Sequence, residues 1–411
     1  MKKTFPFFLS LLFLLASGCG SISPENGKNE RKDIPLTTKQ GEYIKAGNEF
    51  AWRFMAKVDE AESKGEKGDW FVSPLSLQIA LGMLLNGAQG ETAAEICRTL
   101  GYKDGETAYI NDWCKLMLDQ LPQLDKKTDL TLADAIFVKK GVPLKDPYVK
   151  TVEQYYDAAI ENLDFYQVEK STKYINNWCS KQTKGLIPKV IDEVSPDLMA
   201  YLINALYFKS EWQEKFPKEN TSDERFIYED GTTGQVPMMK LDGTSFRYGE
   251  TDAYQFIRLP YGNGAFCMTV VLPKEGTTVH EVTALLEKEK PTFLDTRSLE
   301  VDLWLPRFET KYHILLNGIL ADLGMPTSFI KEAADFKAMS EYASHVDFVT
   351  QDAVVRVDEE GTEAAAVTVI GMVETVDIPF KTVFHADHPF LYLITEQSTG
   401  AILFAGKYAG R

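Results

Sequence analysis

Helical periodicity gathered in the first half of the chain, strand-like apolar runs gathered in the second, and no linker between them together predict one α+β body. The 411 residues are 44% hydrophobic and 25% charged, with aromatic residues spread along the length, which is material for a large core. Length alone would suggest two or three domains. No Pro-, Gly- or Ser-rich stretch follows residue 40 and no internal repeat is present, so residues 39–411 read as a single domain.

The region from Lys39 to Lys57 sets Tyr43, Ile44, Phe50, Phe54 and Met55 at helical spacing. Asp69 to Val72 reads as a short strand that meets a helix start at Ser73-Pro74, where proline suits the first turn. Leu130 to Lys139 is a strand with apolar content on both faces. Ile175 to Lys184 is a helix bearing Trp178, and Ala200 to Lys209 is an apolar strand near the middle of a sheet. From Phe256 onward the runs FIRLPY, FCMTVVLP, LEVDLWLP, FLYLIT and AILFAGKY predict strands, with Gly262-Asn263-Gly264 as a hairpin turn between the first two. A helix is expected at Tyr312 to Leu323, stopped by Gly324.

The N-terminus reads as a targeting segment, residues 1–18. Lys2 and Lys3 precede an apolar run from Phe5 to Ala16 that is too short to span a bilayer as a stable helix. Ala16-Ser17-Gly18-Cys19 resembles a bacterial lipobox, which implies lipidation of Cys19, export, and anchoring to a membrane with the body facing the periplasm or the cell surface. Ordinary signal-peptide cleavage nearby is the alternative. Residues 19–38 are polar and charged and predict a disordered tether. The formal charge of −16, without a basic cluster, argues against nucleic acid as a partner.

Ordinary enzyme chemistry is hard to find. His280, His313, His345, His385 and His388 form no HExxH pattern, and no GxSxG elbow, Walker loop or GxGxxG fingerprint occurs. No metal and no cofactor are expected. Cys97, Cys114, Cys179 and Cys267 each lie inside an apolar or helical pattern and predict buried free thiols, although an exported chain could form disulfides.

Phe71-Val72-Ser73-Pro74-Leu75-Ser76 and the following Leu84-Leu85-Asn86-Gly87-Ala88-Gln89-Gly90-Glu91-Thr92 resemble the serpin family of protease inhibitors. The resemblance continues in order through Ile175-Asn176-Asn177-Trp178, Leu202 to Lys209 with Trp212 and Phe216, Leu259-Pro260-Tyr261 and Leu305-Pro306-Arg307-Phe308. It ends in VDEEGTEAAA from Val357, FHADHPF from Phe384 and the last strand GAILFAGK. It covers the chain from about Lys39 to the C-terminus.

The resemblance implies a large antiparallel main sheet, two smaller sheets, surrounding helices and an exposed reactive loop over about residues 359–384. It implies a non-enzymatic suicide inhibitor of serine proteases and a monomer. A cleaved loop would insert into the main sheet with Glu359, Gly361, Thr362, Glu363, Ala364, Ala365 and Ala366 as its hinge. On a strand, Thr362, Ala364, Ala366 and Thr368 alternate with Glu363, Ala365, Val367 and Val369, so Thr362 is expected to face inward and Glu363 outward. The family's loop length puts the scissile bond at Thr375-Val376, or at Glu374-Thr375. Thr or Val suits elastase-like pockets and Glu a glutamate-selective protease; no Arg or Lys lies between Arg356 and the bond, which disfavours a trypsin-like target. Ser73, Ser76 and Asn204 match the polar shutter beneath the opening sheet, Trp212 matches the aromatic at the insertion point, and Arg307 is expected to pair with Glu359. Gln351 departs from the histidine of many members. A non-inhibitory carrier or chaperone and a surface-binding lipoprotein are the alternative readings.

Overall fold

The computed structural model describes residues 29–64, 68–342, 345–347, 349–362 and 382–410. In chain order the first half holds α1 (Thr38–Ser63), β1 (Trp70–Val72), α2 (Pro74–Leu85), α3 (Gly90–Leu100), α4 (Thr107–Gln120), β2 (Asp129–Lys139), α5 (Asp146–Tyr156), β3 (Ala159–Leu163), α6 (Val168–Gln182) and β4 (Ala200–Glu211). There follow β5 (Ser222–Ile227), β6 (Thr233–Glu250), β7 (Tyr254–Pro260), β8 (Phe266–Pro273), α7 (Val279–Glu289), β9 (Arg297–Pro306), β10 (Phe308–Leu315) and α8 (Asn317–Leu323). The chain ends with β11 (Thr350–Val357), β12 (Gly361–Thr362), β13 (Thr382–His385), β14 (Phe390–Glu396) and β15 (Ile402–Tyr408).

The strands form two sheets. The main sheet runs β10-β11-β12-β4-β2-β3 and is antiparallel except where β3 lies parallel to β2. The second runs β1-β15-β14-β8-β7-β6-β9-β13 with β5 added to β6. The two smaller sheets implied by the resemblance are therefore continuous through β6, whose register against β9 shifts between Leu241 and Thr244. The turn at Gly262-Asn263-Gly264 joins β7 to β8 as expected, and Asp125 accepts from the Asn263 N–H at 3.0 Å.

Position along β4 decides which face a side chain serves. Leu206 and Phe208 enter the core shared with α1, α2 and the second sheet, whereas Tyr201, Ile203 and Ala205 pack with Phe137, Ile175 and Cys179 under α6. α2 is apolar on nearly every side, and all its residues but Ala80 are buried, as a helix enclosed by two sheets requires. It starts as the sequence implies: the Ser73 Oγ accepts from the Ser76 N–H at 3.2 Å, and Pro74 occupies the first turn.

Two expectations need correction. Tyr312 to Leu315 belongs to β10, not to a helix: it pairs with β11 along its whole length, from Phe308 opposite Val357 to Leu315 opposite Thr350. Thr310 and Ile314 point in while Lys311, His313 and Leu315 point out, a period of two that the four apolar residues of YHILL obscured. Residues 29–38 are docked on the body and are not a disordered tether. Ile34 is buried and its N–H donates to the Ser398 Oγ at 2.9 Å, and the Asn29 Nδ2 donates to the Asp125 Oδ1 at 2.6 Å. One apolar anchor suffices to dock a segment whose average composition is polar. Thr37 and Gln40 then close a capping box that begins α1. Cys19 and the targeting segment lie outside the described residues.

Ile34→Asp should free this segment, because an unpaired buried carboxylate is costly. Limited digestion with trypsin is expected to cut after Arg31 and Lys32 faster in the variant than in the parent protein.

Candidate functional site

The two residues of β12 enter the main sheet as a wedge. Thr362 pairs with Val357 of β11 on one side and Ser210 of β4 on the other, and Gly361 faces Glu211. Among the described residues β12 lies between β4 and β11, which share no ladder of their own. Thr362 is 1% exposed, and its hydroxyl lies 2.7 Å from the Tyr261 hydroxyl, so this side chain faces inward as the alternation requires. Gly361 has a steric reason to lack a side chain. A Cβ there would stand 2.7 Å from the Glu211 Cα and closer still to the Ser210 carbonyl oxygen, both of them backbone.

Just before the wedge, three acidic residues in a row are each fastened separately. The Asp358 carboxylate accepts from the N–H groups of Glu360 (2.9 Å) and Gly361 (3.2 Å). Burial pushes its carboxyl up against those backbone donors, and the neighbouring Glu359 and Glu360 push the same way. The buried Glu359 accepts from the Thr221 hydroxyl at 2.7 Å and pairs with the Arg307 guanidinium at 3.4 Å. Glu360 pairs with Lys215 at 2.7 Å and Lys218 at 3.3 Å; burial disfavours its charge, yet the two ammonium groups hold its carboxyl below the usual range. The carbonyls are tied as well. Trp212 donates its Nε1–H to the Asp358 carbonyl and its backbone N–H to that of Glu360, both at 2.8 Å, and Phe216 N–H donates to Glu359 at 3.0 Å. The Trp212 ring lies stacked on Tyr261, centroids 4.4 Å apart.

Deeper in the sheet, the start of α2 spans the line between β4 and β11. On one side Gln351 of β11 accepts from the Ser73 N–H at 2.8 Å and donates to its carbonyl at 3.1 Å. On the other, the Ser76 hydroxyl donates to the Asn204 Oδ1 of β4. Asn204 in turn donates its Nδ2–H to the Asp134 Oδ1 of β2 at 2.8 Å, and Ser73 Oγ donates to the Leu403 carbonyl at 2.6 Å. Burial pushes the Asp134 carboxyl up to about 7, with the Asn204 hydrogen bond opposing it. The two strands that flank β12 are thus each held from below by one side-chain amide, and both amides grip the same helix terminus.

The structure brings Ser73, Ser76, Asn204 and Gln351 into one cluster and Trp212, Arg307, Glu359, Gly361 and Thr362 into another. Glu363, Ala364, Ala365, Ala366, Glu374, Thr375 and Val376 lie outside the described residues. Sequence reading overlooked Asp134, the phenol of Tyr261, Thr221, and the pairing of Glu360 with Lys215 and Lys218. The register of β2 against β4, which sets Asp134 opposite Asn204, was the missing signal. Cys97, Cys114, Cys179 and Cys267 are buried free thiols. Among the described residues no group of three or more His, Cys, Asp or Glu side chains is placed to hold a metal ion.

A family model described as "Serpin (serine protease inhibitor)" matches residues 45–410. Serpin B6 of Macaca fascicularis is 34% identical over 89% of this chain and 98% of its own length. The native-state structure of tengpin, a thermophilic serpin, superposes with a TM-score of 0.83 at 27% identity, covering 93% of this chain and 97% of that one. Thyroxine-binding globulin in complex with thyroxine does so with a TM-score of 0.79 at 26% identity, covering 90% and 99%.

Gly361→Ala should push β12 out of line at a cost of about 1–3 kcal/mol, the usual penalty for overpacking. Urea unfolding is expected to show that loss, and amide exchange should show it most strongly at Thr362.

Proposed function

The chain belongs to the serpin family, and on that premise we propose that it is an inhibitor of serine proteases, and by the same acyl trap of cysteine proteases, that is consumed as it acts. It is not an enzyme. The observation that carries this reading is β12, a two-residue strand already lodged between β11 and β4 with Thr362 turned to the core.

Continuing both registers gives the inserted form its pairing. Ala364 would lie between Phe208 and Val355, Ala366 between Leu206 and Ala353, and Thr368 between Asn204 and Gln351. These are the core-facing positions of β4 and β11, where a charge would cost several kcal/mol and small uncharged side chains fit. β4 ends at Ala200, opposite Met372, which leaves three residues before a bond at Thr375-Val376.

The chemistry belongs to the protease. Its serine attacks the scissile carbonyl, its oxyanion hole holds the tetrahedral intermediate, and the amine departs to leave an acyl-enzyme. About fourteen inserted residues at roughly 3.3 Å each would carry that acyl-enzyme some 45 Å along the body before water releases it. Thr375 at the primary position favours elastase-like or other small-residue-selective proteases, and Glu374 would favour a glutamate-selective one. We further infer a monomer that is exported and held by lipid on Cys19 at a bacterial membrane, in support of which stand Lys2, Lys3, the apolar run and the small residues that lead into that cysteine.

Incubation with an elastase-like protease should give a complex that survives SDS, and mass spectrometry of the released peptide should place the cut after Thr375 or Glu374. Thr362→Arg should turn the protein into a substrate that is cleaved while the protease stays active. Full inhibition by that variant, or cleaved protein that melts no higher than intact protein, would remove the insertion mechanism. Feeding an alkyne-tagged fatty acid to expressing bacteria should label the parent chain and leave Cys19→Ser unlabelled.

A further inference from the structure

β12 meets β4 at a place crowded with negative charge. Gly361 lies opposite Glu211, the last residue of β4, and Glu360 stands directly before it. The Glu211 and Glu360 carboxylates converge on one cation, the Lys215 ammonium, at 3.3 Å and 2.7 Å. Two further lysines close the ends. Lys127 reaches Glu211, and Lys218 reaches the other oxygen of Glu360, each at 3.3 Å. Charge therefore alternates along Lys127, Glu211, Lys215, Glu360 and Lys218, and Lys215 holds the middle.

The middle position differs from the ends. Among the described ion pairs, Lys215 alone touches both carboxylates, and no more than about 6 Å separates the two oxygens that it joins. Without its cation they would face each other where β12 pairs with β4, and like charges so placed repel. Burial opposes the charge of each partner. Even so, Glu360 and Glu211 hold the Lys215 ammonium above its usual range, and Lys127 and Lys215 hold the Glu211 carboxyl below its own. The N–H groups of Trp212 and Phe216 fix the carbonyls of Glu360 and Glu359 on the segment that follows β4, but they offset neither carboxylate.

We propose that Lys215 is a positioning residue of the hinge: by bridging Glu211 and Glu360 it seats β12 against the end of β4, so that Thr362 stands inside the sheet. Seating is a property of the intact body. Its consequence for inhibition rests on the function proposed above. There, a seated Thr362 gives the cleaved loop its first inserted residue, and an unseated one leaves the acyl-enzyme longer within reach of water. Lys215 is 36% exposed, so removing its charge opens no void in the core.

Hydrogen exchange of the full-length native protein, read at the Thr362 amide, tests the assignment. Lys215→Met keeps an aliphatic stem and removes the charge, and it should speed exchange there about fivefold, the scale of one partly exposed ion pair. Adding Glu211→Gln to Lys215→Met should recover most of the parent rate, because one of the two repelling carboxylates is gone. Lost packing alone would not respond to that second change. Equal rates in the parent and Lys215→Met, or a Lys215→Met rate that Glu211→Gln leaves untouched, overturn the proposal. Should Lys215→Met not fold, the parent carries the test: raising NaCl from 0.1 M to 1 M shortens the screening length from about 10 Å to about 3 Å. Exchange should then quicken at Thr362 and not at Leu393, which is buried in β14; an equal response at both overturns the proposal. Incubation of the same variants with an elastase-like protease separates the two readings. Lys215→Met should give less SDS-stable complex and more cleaved chain than the parent. Faster exchange in a protein whose parent forms no such complex leaves Lys215 in its role and removes the inhibitory function.

Discussion

The structure depends on a sheet whose two middle strands are held apart at one end. β4 and β11 flank β12, and β12 contributes only Gly361 and Thr362. A strand laid along the rest of that line would gain a ladder on both sides at once. At about 1 kcal/mol net per hydrogen bond, ten such residues would add stabilisation comparable with that of a whole domain, usually 5–15 kcal/mol by rough reckoning. Among the described residues that gain is made at β12 alone. In the inhibitory reading proposed above, small residues at the leading positions would keep the route free of large side chains, and the polar groups beneath would keep the sheet from separating early.

Those polar groups explain why α2, otherwise enclosed by apolar neighbours, begins with two serines. An apolar pair at Ser73 and Ser76 would pack well enough but could not hold both strands. Ser73 uses its main chain to engage Gln351 and its hydroxyl for the Leu403 carbonyl, while Ser76 engages Asn204. Each contact is worth little alone, and each must break when β4 and β11 part. Placing them at a single helix terminus couples the two strands, so that neither moves without straining the hold on the other. Asp134 extends the chain of contacts to β2 and brings the single titrating carboxyl in that chain.

Much of this could be read from residue order. Ser73-Pro74 announced a helix start, Gly262-Asn263-Gly264 a hairpin, and the apolar run after Ala200 a central strand; all stand where the pattern put them. The errors have a common physical origin. In YHILL the alternation of β10 was hidden because Leu315 is apolar yet exposed, and in residues 29–38 one buried isoleucine outweighed a polar average. Asp134 escaped notice because the run Leu132 to Val138 suggests a strand buried on both faces without saying which polar atom meets which. Cross-strand partners are set by register, and register belongs to the folded sheet. The same limit hid the meeting of Tyr261 with Thr362, which are 101 residues apart.

The run Asp358-Glu359-Glu360 stands directly before β12, whose Thr362 is buried in the main sheet. Its placement makes sense once each residue's partners are considered. Asp358 turns onto the backbone ahead of it, Glu359 reaches Thr221 and Arg307, and Glu360 reaches Lys215 and Lys218. Their three carbonyls are taken by Trp212 and Phe216. Moving any of the three inward would strand a carboxylate and its partners together, so the chain up to Glu360 is pinned by charge. Gly361 carries no charge of its own, although its N–H still donates to the Asp358 carboxylate, and the close approach of β4 there admits no side chain. The pivot is therefore defined twice, by electrostatics on one side and by steric contact on the other.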